Sequence, residues 1–177
     1  MSKLTLATVW LDGCSGCHMS FLDTDERLIA LLEHVDLVYS PLVDAKEFPE
    51  HVDITLIEGS ISTNEDVEKI RMVRRRTRIL IALGDCAVTG NVPAMRNSFG
   101  PEATLRRAYH ELEPLHAQTP REDLPVLLDK VVPVHDMVKV DLHLPGCPPP
   151  ADAIFYALHA LVTSQNPDVK HLTRFGK

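Results

Sequence analysis

Long apolar runs are missing from this chain. No stretch of its 177 residues approaches the roughly 18–20 consecutive apolar positions of a membrane-spanning helix. A positive charge balance is missing too. With 25 acidic against 18 basic residues the net charge is −7 and the pI about 5.7, which argues against nucleic acid as the main partner. Met-Ser-Lys runs at once into apolar Leu4 to Trp10, with no secretory apolar core and no twin-arginine leader. The expected compartment is therefore the cytoplasm, and no membrane span is expected. There is no G-x-G-x-x-G fingerprint and no Gly/Ser/Thr-rich phosphate loop, so nothing predicts that this chain binds a dinucleotide. Internal repeats and low-complexity segments are also lacking.

What is present is an ordinary hydrophobic fraction of 45%, enough to fill the core of one domain spanning residues 1–177. Cysteines number four. In a reducing compartment they point to metal or redox chemistry rather than to disulfides.

Strand patterns alternate with helix patterns. Leu4–Trp10, Val35–Tyr39, Asp53–Ile57, Arg78–Leu83 and Val138–Leu144 read as strands. Residues 18–34 read as one helix with Phe21, Leu28, Leu32 and Val35 on its apolar stripe, widened by Leu22 and Ile29. Asn64 reads as the N-cap of a helix to about Arg76, and Ala151 to about Thr163 reads as the last helix, with Ile154, Leu158 and Leu161 on its stripe. This rhythm predicts an α/β fold: a flavodoxin-like, doubly wound, mostly parallel sheet. The third and fourth strands are continuously apolar, as strands covered on both faces are. The second and fifth alternate, which suits edges and gives the order 2-1-3-4-5. Residues 91–135, punctuated by Pro93, Pro101, Pro114, Pro120, Pro125 and Pro133, read as a long insertion before the last strand. It is irregular apart from a helix around Glu102–Leu112, and such an insertion on a functional rim is a place for a partner to dock. Residues 165–177 read as a polar tail.

In an open α/β sheet, ligands bind beyond the carboxyl ends of the strands. Cys14 and Cys17 follow strand one, Glu58 strand three, Cys86 strand four and Cys147 strand five, so all should meet on one rim. Gly13, Gly16, Gly84 and Gly146 flank the cysteines and let backbone approach closely. The helix after Cys17 should point its N-terminus at the site. Four soft thiolates suit zinc or an iron–sulfur cluster. Structural zinc more often takes two close pairs, whereas here one pair joins two distant singles. A thioredoxin-like dithiol at Cys14-x-x-Cys17 is a further reading, but it leaves Cys86 and Cys147 unexplained. A phosphate or flavin site at the same rim follows from fold analogy alone. Glu58 reads equally as a proton carrier or as a turn-capping carboxylate. His18 either tunes the site or starts the helix. The Lys69, Arg71, Arg74, Arg75, Arg76 and Arg78 run reads as a solvated or partner-facing surface, and His143 as exposed.

Four segments together carry a resemblance: Trp-Leu-Asp-Gly-Cys14-Ser-Gly-Cys17, Ile57-Glu58-Gly-Ser, Gly84-Asp-Cys86-Ala-Val-Thr-Gly90-Asn-Val-Pro93 and Leu144-Pro-Gly-Cys147-Pro-Pro. They resemble the small, electron-transfer subunit of nickel–iron hydrogenases, in particular the short type of the cytoplasmic NAD-reducing hydrogenases. The resemblance implies that Cys14, Cys17, Cys86 and Cys147 hold one proximal [4Fe–4S] cluster and that Glu58 serves a proton route. Longer relatives carry two more clusters in a C-terminal extension, whereas this chain ends at Lys177 with no cysteine beyond Cys147. The related complex I subunit has adjacent cysteines where this chain has C-x-x-C. The implied partners are a large subunit carrying the NiFe centre and a diaphorase module carrying FMN, NAD and further iron–sulfur clusters. The implied activity is that of a hydrogen dehydrogenase (NAD+) complex, with electrons relayed by this chain. A deazaflavin or heterodisulfide module as acceptor, or a zinc-holding docking module, are the alternative readings.

Overall fold

The computed structural model describes residues 3–112, 115 and 117–175. Pro114 and Lys177 lie outside the described residues, as do Met1 and Ser2. The strands are β1 (Leu4–Trp10), β2 (Val35–Tyr39), β3 (Val52–Glu58), β4 (Ile61–Thr63), β5 (Thr77–Leu83), β6 (Leu127–Val132) and β7 (Leu142–Leu144). The α-helices are α1 (Gly16–Leu22), α2 (Glu26–Leu32), α3 (Asn64–Arg76), α4 (Gly84–Thr89), α5 (Gly100–Arg106) and α6 (Ala151–Val162).

Five strands form a parallel sheet in the order β2-β1-β3-β5-β7, the doubly wound order expected from the sequence. The continuous apolar runs of β3 and β5 arise because both sheet faces are covered. On one face Leu6, Ile54, Leu56, Ile81 and Leu83 pack with Phe21, Leu31, Ile154 and Leu158. On the other, Ala7, Val9, Ile57, Leu80 and Ala82 pack with Ile70, Val73 and Val88. Successive residues of one strand thus enter opposite cores. The register also fixes the rim: Trp10 pairs with Glu58, Glu58 with Leu83, and Leu83 with Leu144. The turns that follow those four residues therefore open at one edge of the sheet.

Several local expectations are corrected. Residues 18–34 form two helices, not one. Asp25 turns the chain with φ 52°, and the Thr24 hydroxyl donates to Phe21 O at 2.8 Å. The break changes the helical phase, so Leu31 is buried while Ile29 and Leu32 are exposed. The N-cap of α3 is Thr63, whose hydroxyl accepts from Asp66 N at 3.1 Å while the Asp66 carboxylate accepts from Thr63 N at 2.9 Å, a reciprocal capping box. Asn64 instead accepts from Val126 N at 2.7 Å. The last strand is confined to Leu142–Leu144. Just before it the Asp141 carboxylate, not a backbone carbonyl, accepts from Leu80 N at 2.9 Å, which interrupts the ladder. The stretch after residue 91 is less irregular than expected. It contains a 3-10 helix at Pro93–Ser98, α5, a π turn at Arg107–Glu111 and β6, which pairs antiparallel with β4. Part of the arginine run is used internally: Arg74, Arg76 and Arg78 pair with Asp141, Glu50 and Asp53.

Candidate metal centre

Each cysteine is placed by a turn on the carboxyl rim. The turn after β1 is anchored to the turn after β3 by Asp12 and Ser60, which exchange backbone bonds of 3.1 and 2.8 Å. Gly59, at φ +94°, permits this approach, since a Cβ there would lie 2.8 Å from the Leu11 carbonyl carbon. Cys14 follows and is exposed, whereas Cys17 is buried in the first turn of α1. Cys86 sits in α4 and is half-buried. Cys147, exposed, sits in the turn after β7. Asp85 locks those last two turns together: its amide donates to Gly146 O at 2.8 Å and its carboxylate accepts from Gly146 N at 2.7 Å.

The four thiols are brought together. Cys14, Cys86 and Cys147 line one cleft of about 670 Å³ with Asp12, Asn91 and Arg96. Cys17 borders the same group from behind: a Cβ on Gly84 would sit 2.2 Å from its sulfur, and Gly84 holds φ +82°. All four cysteines are free. Burial, and then the neighbouring Glu58 and the other three sulfurs, hold the Cys17 thiol far above its ordinary range. Burial, then Cys147 and Cys14, push Cys86 up to about 11, although the Asn91 side chain acts to lower it. These thiols repel one another as anions, so a cation must compensate them before all four can deprotonate. A soft four-sulfur donor set with a glycine-made cradle at Gly84 fits a thiolate-bound metal group. The thiols face a cleft rather than a point. Among the described residues no three His, Cys, Asp or Glu side chains gather closely enough for a single ion.

Glu58 lies beneath this rim, 1% exposed at the end of β3. Its Oε2 accepts from the His18 amide at 2.9 Å and also meets His18 Nδ1. The first turn of α1, expected to aim its amides at the site, is thus partly capped by Glu58. His18 Nε2 lies 3.0 Å from Thr8 Oγ1, and that hydroxyl donates to Ser40 Oγ at 2.7 Å. Thr8 thus meets His18 on one side and Ser40 on the other, and His18 Nδ1 and Glu58 Oε2 are hydrogen-bonded. His18, in the first turn of α1 beside Cys17, is the buried partner of Glu58. Sequence reasoning missed Thr8 and Ser40, although a hydroxyl residue inside the apolar run of β1 was a signal for Thr8. Asn91, whose Nδ2 donates to Cys147 Sγ at 3.4 Å, and Arg96 were also missed. His143 is exposed as expected and stacks edge-on with His135.

Residues 14–161 match the family described as NADH ubiquinone oxidoreductase, 20 Kd subunit. The chain is 43% identical over 173 residues to the NAD-reducing hydrogenase HoxS subunit delta of Cupriavidus necator, covering 92% of this chain and 80% of that one. It is 37% identical to a subunit of the F420-non-reducing hydrogenase of Methanocaldococcus jannaschii, over 90% of this chain but 56% of the longer relative. A crystal structure of an NAD+-reducing [NiFe]-hydrogenase in the H2-reduced state superimposes with a TM-score of 0.94 at 42% identity, covering 98% of this chain and 99% of that chain. A [NiFeSe]-hydrogenase chain of Dm. baculatum, at 21% identity and TM-score 0.62, shares the fold over 92% of this chain and 63% of its own.

Proposed function

The chain belongs to the NADH ubiquinone oxidoreductase 20 Kd subunit family, among its hydrogenase small subunits, and from that premise we propose that it is the electron-relay subunit of a heteromeric NAD-reducing [NiFe] hydrogenase. Its four cysteines hold one [4Fe–4S] cluster. A large subunit carries the NiFe centre, and a diaphorase module carries FMN, NAD and further clusters. The observation that carries this reading is the convergence of Cys14, Cys17, Cys86 and Cys147 from three strand ends on one cleft. A cubane sets its own iron and sulfide between the thiolates, so thiols facing a cleft suit it better than they suit one zinc ion. NAD is favoured as final acceptor because the NAD-reducing relative matches at higher identity and over more of its own length than the F420-non-reducing one does.

The bound cluster would take up and release one electron at a time. This chain's residues hold it and shape its surroundings. Cys17 and the Gly84 turn close the side nearest the core, and the Asn91 amide donates to Cys147 sulfur. Loading displaces the thiol protons that burial holds on Cys17 and Cys86. The Glu58 carboxylate and His18 imidazole hold a proton at the buried side of the rim, connected through Thr8 to Ser40. On this reading Glu58 serves the proton route of the complex. Val92 lines the cleft and is exposed, and exposed Met95 and Phe99 line a neighbouring cavity that shares Arg96 with it. An apolar border of this kind suits burial against the large subunit. No helix among the described residues is long and apolar enough to cross a membrane, and a cytoplasmic complex is the proposed setting.

Substitution in the purified complex tests the relay. Cys86→Ser should leave a folded, assembled chain that has lost its cluster, with no hydrogen-driven NAD reduction. Full retained activity would contradict the relay role.

A further inference from the structure

Arg96 carries the only cationic side chain among the described residues lining the cysteine cleft. Its placement is built rather than incidental. Gly90, at φ +85°, ends α4, and Pro93 starts the 3-10 helix that carries Arg96. Asn97, the next residue, clamps that helix to β6: its Oδ1 accepts from Val131 N at 2.7 Å and its Nδ2 donates to Val131 O at 2.8 Å. Arg96 Nη2 donates to Ser62 O at 3.1 Å. Its Nη1 is buried and, among the described residues, has no hydrogen-bond partner. A buried guanidinium nitrogen without an acceptor is costly, and the ionised form cannot be escaped, because arginine stays protonated. The surroundings should therefore supply negative charge.

That charge is at hand if the four cysteines hold a cluster, and the inference rests on that reading. Four thiolates on a [4Fe–4S] core leave the assembly doubly negative, and one added electron makes it more so. We propose that Arg96 is an electrostatic positioning residue of this site, its guanidinium offsetting the charge of the cluster and raising the potential at which the cluster accepts an electron. Ser62 and the Asn97 clamp hold the cation at the cleft, so its field acts in both redox states but favours the more negative one.

The test is an anaerobic, EPR-monitored redox titration of the intact purified complex, with the signal of this chain assigned as the one lost in Cys86→Ser. Iron and acid-labile sulfide are measured first on the unmodified complex. If they are absent from this chain, the cluster reading fails, and this proposal with it. With the cluster present, Arg96→Gln should keep iron and sulfide, while the reduced-to-oxidised ratio at a fixed potential falls about tenfold, a shift of about 59 mV for one electron. Arg96→Lys, which keeps the charge, should stay within about threefold of the unmodified protein. Retention of the cluster by the Lys variant alone would also support the need for charge. A fully loaded Gln variant with an unchanged potential would overturn the proposal. So would loss of iron from both variants, which would make Arg96 an anchor of the fold.

Discussion

The two ends of the parallel sheet are finished in opposite ways. At the amino edge, charged groups are answered within the chain. The Asp53 carboxylate accepts from Thr5 N at 2.9 Å, Thr5 Oγ1 at 3.1 Å and Arg78 Nε at 3.1 Å. Arg76 donates to Phe48 O at 2.7 Å and pairs with Glu50 at 2.7 Å, and Arg74 pairs with Asp141 at 2.6 Å. At the carboxyl rim Glu58 and Asp85 are likewise bonded within the chain, but four free thiols gather at a cleft, beside an arginine with a buried nitrogen that has no acceptor among the described residues. The amino edge uses its charges to hold strands together. The carboxyl rim keeps its donors for something outside the chain. One sheet thus separates the work of stability from the work of binding, and substitutions at the two ends should fail in different assays.

The largest effect is expected at Gly84. Alanine there combines a positive φ, about 1–3 kcal/mol, with a Cβ 2.2 Å from Cys17 sulfur, roughly another 1–3 kcal/mol of overpacking. Chemical denaturation should show the loss, and iron content should drop with it. Gly100→Ala is the control: its φ is +81° but nothing lies within 4 Å, so only the strain of about 1–3 kcal/mol should be lost, with iron intact. Equal losses at both positions would erase the special status of the rim. Glu58→Gln should slow hydrogen-driven turnover about tenfold or more without lowering iron or sulfide, read by steady-state kinetics. An unchanged rate would return Glu58 to capping α1.

At the amino edge Asp53→Ala should cost about 1–2 kcal/mol in denaturation and leave the cluster and turnover alone. Burial acts to raise this carboxyl group, but the Thr5 amide and hydroxyl and the Arg78 guanidinium outweigh it and hold it below its ordinary 3.8. A carboxyl group lowered in the folded state stabilises above its unfolded value, and that contribution is lost as pH falls through the folded value. The unmodified protein should therefore lose this increment below about pH 4, and the Ala variant should not. A parallel acid profile in both would contradict the assignment. The smallest effect is expected at Asp152→Ala, which breaks only the exposed 2.7 Å pair with Arg27, worth less than about 0.5 kcal/mol; a thermal shift of several degrees would show that pair to be more than a surface contact.

How much of this could be read from the sequence follows from the range of each interaction. The order of the five strands was legible, because apolar continuity in β3 and β5 and alternation in the second and fifth sequence-read strands report directly on covered and edge positions. The cysteine rim was legible because strand ends share one edge in any such sheet. The break at Asp25 was not, because Asp23-Thr24-Asp25 leaves the surrounding helical spacing superficially intact. The β4–β6 ribbon was not, since three residues of β4 carry too little pattern. The bond between Glu58 and His18 joins positions 40 apart in the chain. The Arg96 nitrogen without an acceptor among the described residues is left by a side chain whose other Nη bonds Ser62 O, 34 positions away, which only the packed structure reveals.

The most direct measurement is iron, zinc and acid-labile sulfide per chain on the anaerobically purified, co-expressed complex, with the partners' contribution subtracted through the Cys86→Ser complex. About four irons and four sulfides attributable to this chain are expected. About one zinc and no sulfide would contradict the relay role and leave the cysteine rim as a docking module that carries no electrons.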